Sequence, residues 1–135
     1  MFINQARAAA ALPAQDLERA KAFYRDTMGL TPVDENPGGM LFELAKGTGF
    51  LVFLSSGKPS GTHTQMAIEV DDLDEAVKQL RAKGVKFEEY DSPTLKTVDG
   101  IAVAPGGQRI AWFKDSEGNL IGIGLPVPVA STQRS

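Results

Sequence analysis

The chain says nearly the same thing twice. Asp16-Leu17-Glu18-Arg19-Ala20 opens a segment of helical spacing that stops at Gly29, and Asp72-Leu73-Asp74-Glu75-Ala76 opens another that stops at Gly84. After the first come Pro37-Gly38-Gly39, an apolar run, Lys46-Gly47-Thr48-Gly49, and Phe50-Leu51-Val52-Phe53-Leu54. After the second come Pro105-Gly106-Gly107, an apolar run, Asp115-Ser116-Glu117-Gly118, and Asn119-Leu120-Ile121-Gly122-Ile123. Such a duplication restricts the fold to architectures in which two similar halves share a surface. It also lets equivalent positions be compared within a single sequence.

With 135 residues the chain is one domain, or two half-domains around one core. A net charge of −3 offers no basic face, so nucleic acid is not an expected partner. There is no cysteine, which rules out disulfides, a thiolate nucleophile and zinc–thiolate sites. Met1-Phe2-Ile3-Asn4-Gln5 is not a secretory signal. No apolar run approaches the ~18 residues of a membrane span. A cytoplasmic protein with no membrane partner is the expectation.

Within module one, about 8–56, Ala8 to Ala14 reads as a buried strand, and Asp16 suits a helix N-cap. Leu17, Ala20, Phe23, Tyr24 and Met28 recur on one helical face. Strands are expected at Thr31–Val33, Met40–Leu44 and Phe50–Leu54, between glycine turns. Module two, about 65–125, repeats the order. Gln65–Val70 alternates as a strand, Asp72 caps the next helix, and Glu75 sits in capping-box position. Val85–Tyr90, Ile101–Ala104, Arg109–Lys114 and Asn119–Leu125 are further strand candidates, with the polar stretch Asp91–Gly100 a candidate lid. Residues 57–64 read as a flexible linker and 126–135 as a tail. The fold class expected is α+β: two βαβββ modules in a single domain, forming one curved mixed sheet around a cleft, with helices outside.

These residues carry a family resemblance. Asp16-Leu17-Glu18-Arg19-Ala20 with Phe23-Tyr24 and Gly29-Leu30 is similar to the first-module signature of the vicinal oxygen chelate superfamily, which holds glyoxalases, bleomycin-binding proteins and extradiol dioxygenases. Ala67-Ile68-Glu69-Val70-Asp71-Asp72-Leu73 and Trp112-Phe113-Lys114-Asp115-Ser116-Glu117-Gly118-Asn119 resemble its second-module signatures. The resemblance implies a divalent metal, in the members that use one, held by the first and last strands of each module. Carried over, those positions are Ala9, Phe53, Gln65 and Gly122. Ala9 and Gln65 each stand seven residues before a capping aspartate, and Phe53 and Gly122 lie equally far past Gly49 and Gly118. Only Gln65 among them offers a donor atom, a neutral amide oxygen, whereas first-row metals want imidazole, carboxylate or thiolate. No metal and no other cofactor is expected.

Other residues have a functional and an ordinary reading. Glu43 and Trp112 occupy equivalent places, three residues before Lys46 and Asp115, and by alternation both face the cleft. The ordinary alternative makes Trp112 core and Glu43 a solvent-facing strand end. Glu69 shares a strand face with Ala67 and Gln65; it is a candidate base, or an ion-paired strand end. His63, the single histidine, reads as an exposed linker residue. Tyr90 could close over a ligand, while Lys96 and Arg109 are more ordinarily surface ion pairs.

The leading functional expectation is therefore a small-molecule binding protein, often dimeric in this superfamily, here a homodimer. Its metal-free cleft would be lined by Glu43, Phe53, Gln65, Ala67, Glu69, Trp112 and Gly122 and would suit an aromatic or bulky organic ligand. The alternative is a lyase, isomerase or dioxygenase-like enzyme, metal-independent or less readily metal-dependent, with Glu43 or Glu69 as base. The linker leaves open whether the modules close within one chain or exchange across a dimer.

Overall fold

The computed structural model describes residues 3–124; the tail expected at 126–135 lies outside the described residues. Among the described residues, two α-helices and nine strands follow the order of the repeat. Helix α1, Leu17–Asp26, begins where the Asp16 carboxylate accepts the Arg19 N–H at 3.0 Å. Helix α2, Leu73–Ala82, begins the same way, with the Glu75 N–H donating to Asp72 Oδ1 at 3.1 Å. Glu75 does not close the expected capping box, because its carboxylate accepts from Gln79 Nε2 instead. Both helices end on a glycine in the left-handed region, Gly29 at φ 70° and Gly84 at φ 93°.

Module one forms β1 (Ala10–Ala14), β2 (Asp34–Asn36), β3 (Gly39–Glu43) and β4 (Gly49–Leu54), in the order β1-β4-β3-β2 with β1 parallel to β4. Module two forms β5 (Met66–Glu69), β6 (Thr97–Val98), β7 (Ile101–Val103), β8 (Arg109–Lys114) and β9 (Leu120–Gly124), in the order β5-β9-β8-β7-β6. The parallel pair β5–β9 repeats β1–β4. The α+β class and the two βαβββ-type modules stand, but the curved sheet comes as two mixed sheets, of four and five strands.

Two expected strands differ. The strand expected at Thr31–Val33 forms three residues later, and only the Val33 N–H joins β3, at the Leu41 carbonyl. Val85–Tyr90 forms no ladder. Its alternation is real, since Val85 and Phe87 pack on the core, but one backbone bond, Glu88 N–H to the Trp112 carbonyl, ties it to β8.

One hydrophobic cluster joins the modules. Tyr24, Phe42, Phe50 and Val52 of module one belong with Leu73, Val77, Phe113 and Ile121 of module two. Tyr24 sits among three rings, 5.3 Å from Phe23, 5.2 Å from Phe42 and 5.3 Å from Phe50. Its hydroxyl donates to Asp115 Oδ2 at 2.6 Å, across the module boundary.

Candidate functional site

Alternation along the strands divides each sheet into a core side and an outer side. On β4, Phe50 and Val52 are buried while Leu51 and Phe53 remain 42% and 40% exposed. The register extends this outer side across the sheet: Pro13, Phe53 and Gly39 form one row, and Ala11, Leu51 and Leu41 the next. A recess of about 370 Å³ lies over it, lined by Leu41, Leu51 and Phe53 with Asp34 and Asn36 among its polar members. Glu43 ends β3 on the exposed rim, opposite Gly49.

On sheet two the corresponding rows are Ala67, Gly122 and Trp112, then Glu69, Gly124 and Ile110. Trp112 is fixed from two directions. Its indole Nε1–H donates to Thr64 Oγ1 at 3.0 Å, and the Tyr90 ring meets it edge-on at 5.6 Å. Burial, and secondarily the nearby Glu88 carboxylate, push the Tyr90 hydroxyl pKa up, so it stays protonated at neutral pH.

The structure thus brings Gln65, Ala67, Glu69, Trp112 and Gly122 onto one module. Phe53 and Glu43 belong to the other sheet, and no ring contact joins Phe53 to Trp112 among the described residues. Arg109 makes the ordinary surface pair, a two-pronged contact with Asp74 at 2.7 and 3.0 Å. His63 is an exposed linker residue, with Nδ1 3.2 Å from Ser60 Oγ. Leu41 and Leu51 also line the recess; Leu51 lies two residues from Phe53 on the same strand face, a signal that alternation alone carries. Thr64 carries no sequence signal at all.

The four positions that the resemblance assigns to a metal do not fit one. Ala9 is exposed and lacks a donor atom. The Gln65 amide oxygen is buried with no hydrogen-bond partner. Gly122 is not an open vacancy: a Cβ placed there would stand 3.2 Å from Trp112 Nε1 and 3.3 Å from the Thr64 methyl. The missing side chain leaves no open space, because Trp112 and Thr64 fill it. Among the described residues no group of three or more His, Cys, Asp or Glu side chains is placed to hold a metal ion.

The model of the glyoxalase/bleomycin resistance protein/dioxygenase superfamily matches residues 6–123. Among solved structures, the chain is similar to a bleomycin-binding protein complexed with bleomycin, at 20% identity and a TM-score of 0.70, covering 90% of this chain and 99% of that one. A glyoxalase/bleomycin resistance protein/dioxygenase from Nocardioides matches at 24% identity and a TM-score of 0.66, covering 91% and 86%. A lactoylglutathione lyase from Agrobacterium tumefaciens matches at 24% and 0.62, covering 89% and 92%. At these identities the likeness is one of fold. No curated protein matches the chain in sequence.

Proposed function

The chain belongs to the glyoxalase/bleomycin resistance protein/dioxygenase superfamily, and we propose that within it this protein binds a small, aromatic or bulky organic molecule without a metal, as a cytoplasmic homodimer. The observation that carries this reading is the chemistry of the four carried-over positions. An alanine, a phenylalanine, a glycine packed under an indole, and one amide oxygen do not make a first-row metal site. What surrounds them is apolar and aromatic surface, Leu51 and Phe53 on one sheet and the fixed Trp112 on the other. Such surface binds planar or bulky organic groups through stacking and burial.

The same surface supports the dimer reading. Leu51 and Phe53 stand uncovered above the module-one recess, and a second copy related by twofold symmetry would cover it and complete the lining. Membrane attachment through a helix has no support, since no helix among the described residues is long and apolar enough to cross a bilayer. Glu43 and Glu69 contribute polar groups at the rim and strand end, where they would orient a ligand.

Native mass spectrometry of the protein as purified tests all three elements. The expected spectrum shows a dimer, free of divalent metal, alone or with an added organic mass. A stoichiometric divalent metal would overturn the metal-free reading, and a monomer would overturn the assembly.

A further inference from the structure

The linker does not hang free. Residues 57–64 are polar and glycine-bearing, yet they pack against the β8–β9 turn, the Lys114 side chain and, through Thr64, the Trp112–Gly122 part of the outer side of sheet two. A series of close contacts fixes the linker's position. The Pro59 ring stands 3.6 Å from a Cβ built on Gly118, and one built on Gly61 meets Lys114 Cε at 3.1 Å and the Gly118 carbonyl at 3.6 Å. At the other end, Thr64 puts its methyl against Gly122 and its hydroxyl under the Trp112 indole N–H. Inside the segment, Ser60 Oγ is bonded to Thr62 Oγ1 at 2.8 Å, accepts the Thr62 N–H at 3.2 Å and reaches His63 Nδ1 at 3.2 Å.

Burial on the outer side of sheet two differs between its central and edge strands. Gly122 and Leu120 belong to the outer side by register, level with Trp112 and Lys114, yet both are buried. Ala67, beside Gly122 in the same row but on the edge strand, is exposed. On the outer side of sheet two the central strand β9 is thus buried along its length, Gly124 included, while Ala67 and Glu69 on the edge strand are exposed.

We propose that residues 59–64 are a strap over the module-two half of the binding surface, latched by Thr64 on Trp112, and that ligand entry requires its release. The inference rests on the reading of the Trp112 surface as ligand-binding. A ligand stacking on the indole beside Gly122 competes for the space that Thr64 holds. Its apparent affinity is then reduced by the fraction of molecules with the strap open. One neutral hydrogen bond is a small restraint, so the latch yields to a ligand without unfolding either sheet.

Thr64→Val tests this, because it keeps the shape and removes the acceptor, while Thr64→Ser keeps the hydroxyl. Trp112 is the single tryptophan, so tryptophan fluorescence reports this one indole. In the ligand-free protein, acrylamide should quench Trp112 more strongly in the valine variant and as in the native protein in the serine variant. With N-phenyl-1-naphthylamine, a neutral aromatic dye read by emission sensitised from Trp112, the valine variant should bind roughly fivefold tighter, the effect of one hydrogen bond on the open fraction. Unchanged quenching would overturn the strap, and increased quenching with unchanged dye affinity would overturn its role as a gate. Quenching needs neither ligand nor metal, so a metal found in the native mass spectrum would defeat the functional reading while leaving the strap measurement to stand separately.

Discussion

At the scale of single residues, one buried hydroxyl and one carboxylate meet across the module junction. Tyr24 is fully buried and donates to Asp115 Oδ2; Asp115 also accepts the Glu117 and Asn119 backbone N–H groups and the Asn119 amide. Asn119 Nδ2 in turn donates to the Pro13 carbonyl, returning to module one. Burial first, then the adjacent Asp115, pushes the Tyr24 hydroxyl far above its ordinary range, so it is a donor wherever the protein is folded. Tyr24→Phe keeps the ring packing and removes the donor. Urea denaturation should show a loss of about 1.5–3 kcal/mol, the value of a hydrogen bond to a charged group. A loss below about 0.5 kcal/mol would mean that ring packing alone makes the junction. Tyr24 was legible as a core residue from its helical spacing, and Asp115 as the start of a glycine turn. That two residues so far apart in sequence touch has no local signal, because spacing reports the face of an element and not its partner.

Between elements, the same turn caps a helix in the other module. Glu117 Oε1 accepts the Gln15 and Asp16 N–H groups just ahead of α1, and Arg19 grips the carboxylate with both Nε and Nη2, at 2.7 and 2.9 Å. The Glu117 side chain is 1% exposed. Burial would raise its pKa, but the bonds from Arg19, Ser116 and Asp16 outweigh that and hold it below the usual carboxylate range. A depressed folded-state value stabilises the protein above the unfolded-state value, near pH 4.3, and that contribution is lost as pH falls through the folded-state value. Thermal unfolding should therefore show native stability falling below about pH 4, with a shallower fall in Glu117→Gln. Equal slopes in the two proteins would remove Glu117 from the acid response. The helices were legible because caps and glycine stops are local chemistry. Val85–Tyr90 was misread because alternation shows which side chains turn inward, whereas a ladder needs a partner edge, and β7 already holds β8 along Arg109–Ala111.

For the molecule as a whole, the repeat pointed to Phe53 and alternation to Trp112 as cleft-facing residues, but neither could say what lies opposite them. Nor could either show that the linker is strapped down, because nothing in a polar, glycine-bearing segment distinguishes a bound path from a free one. In one chain the module-one recess is lined by module one alone, and its apolar members remain uncovered. Scattered exposed apolar side chains need no explanation, but two adjoining rows on one sheet, Pro13-Phe53-Gly39 and Ala11-Leu51-Leu41, form a continuous surface. Twofold symmetry doubles any change made there, since each copy presents the same patch. Leu51→Glu places a carboxylate at the centre of the Ala11-Leu51-Leu41 row without touching the core side of β4. If this surface meets a second copy, the substitution should weaken the dimer by about 3 kcal/mol, roughly a hundredfold in dissociation constant, with the circular dichroism spectrum unchanged. Sedimentation at micromolar concentration reads that change directly. Ligand response at Trp112 should fall with the dimer, because the lining is then incomplete. A Leu51→Glu protein that remains dimeric would place the subunit contact elsewhere and leave the recess as a site complete within one chain.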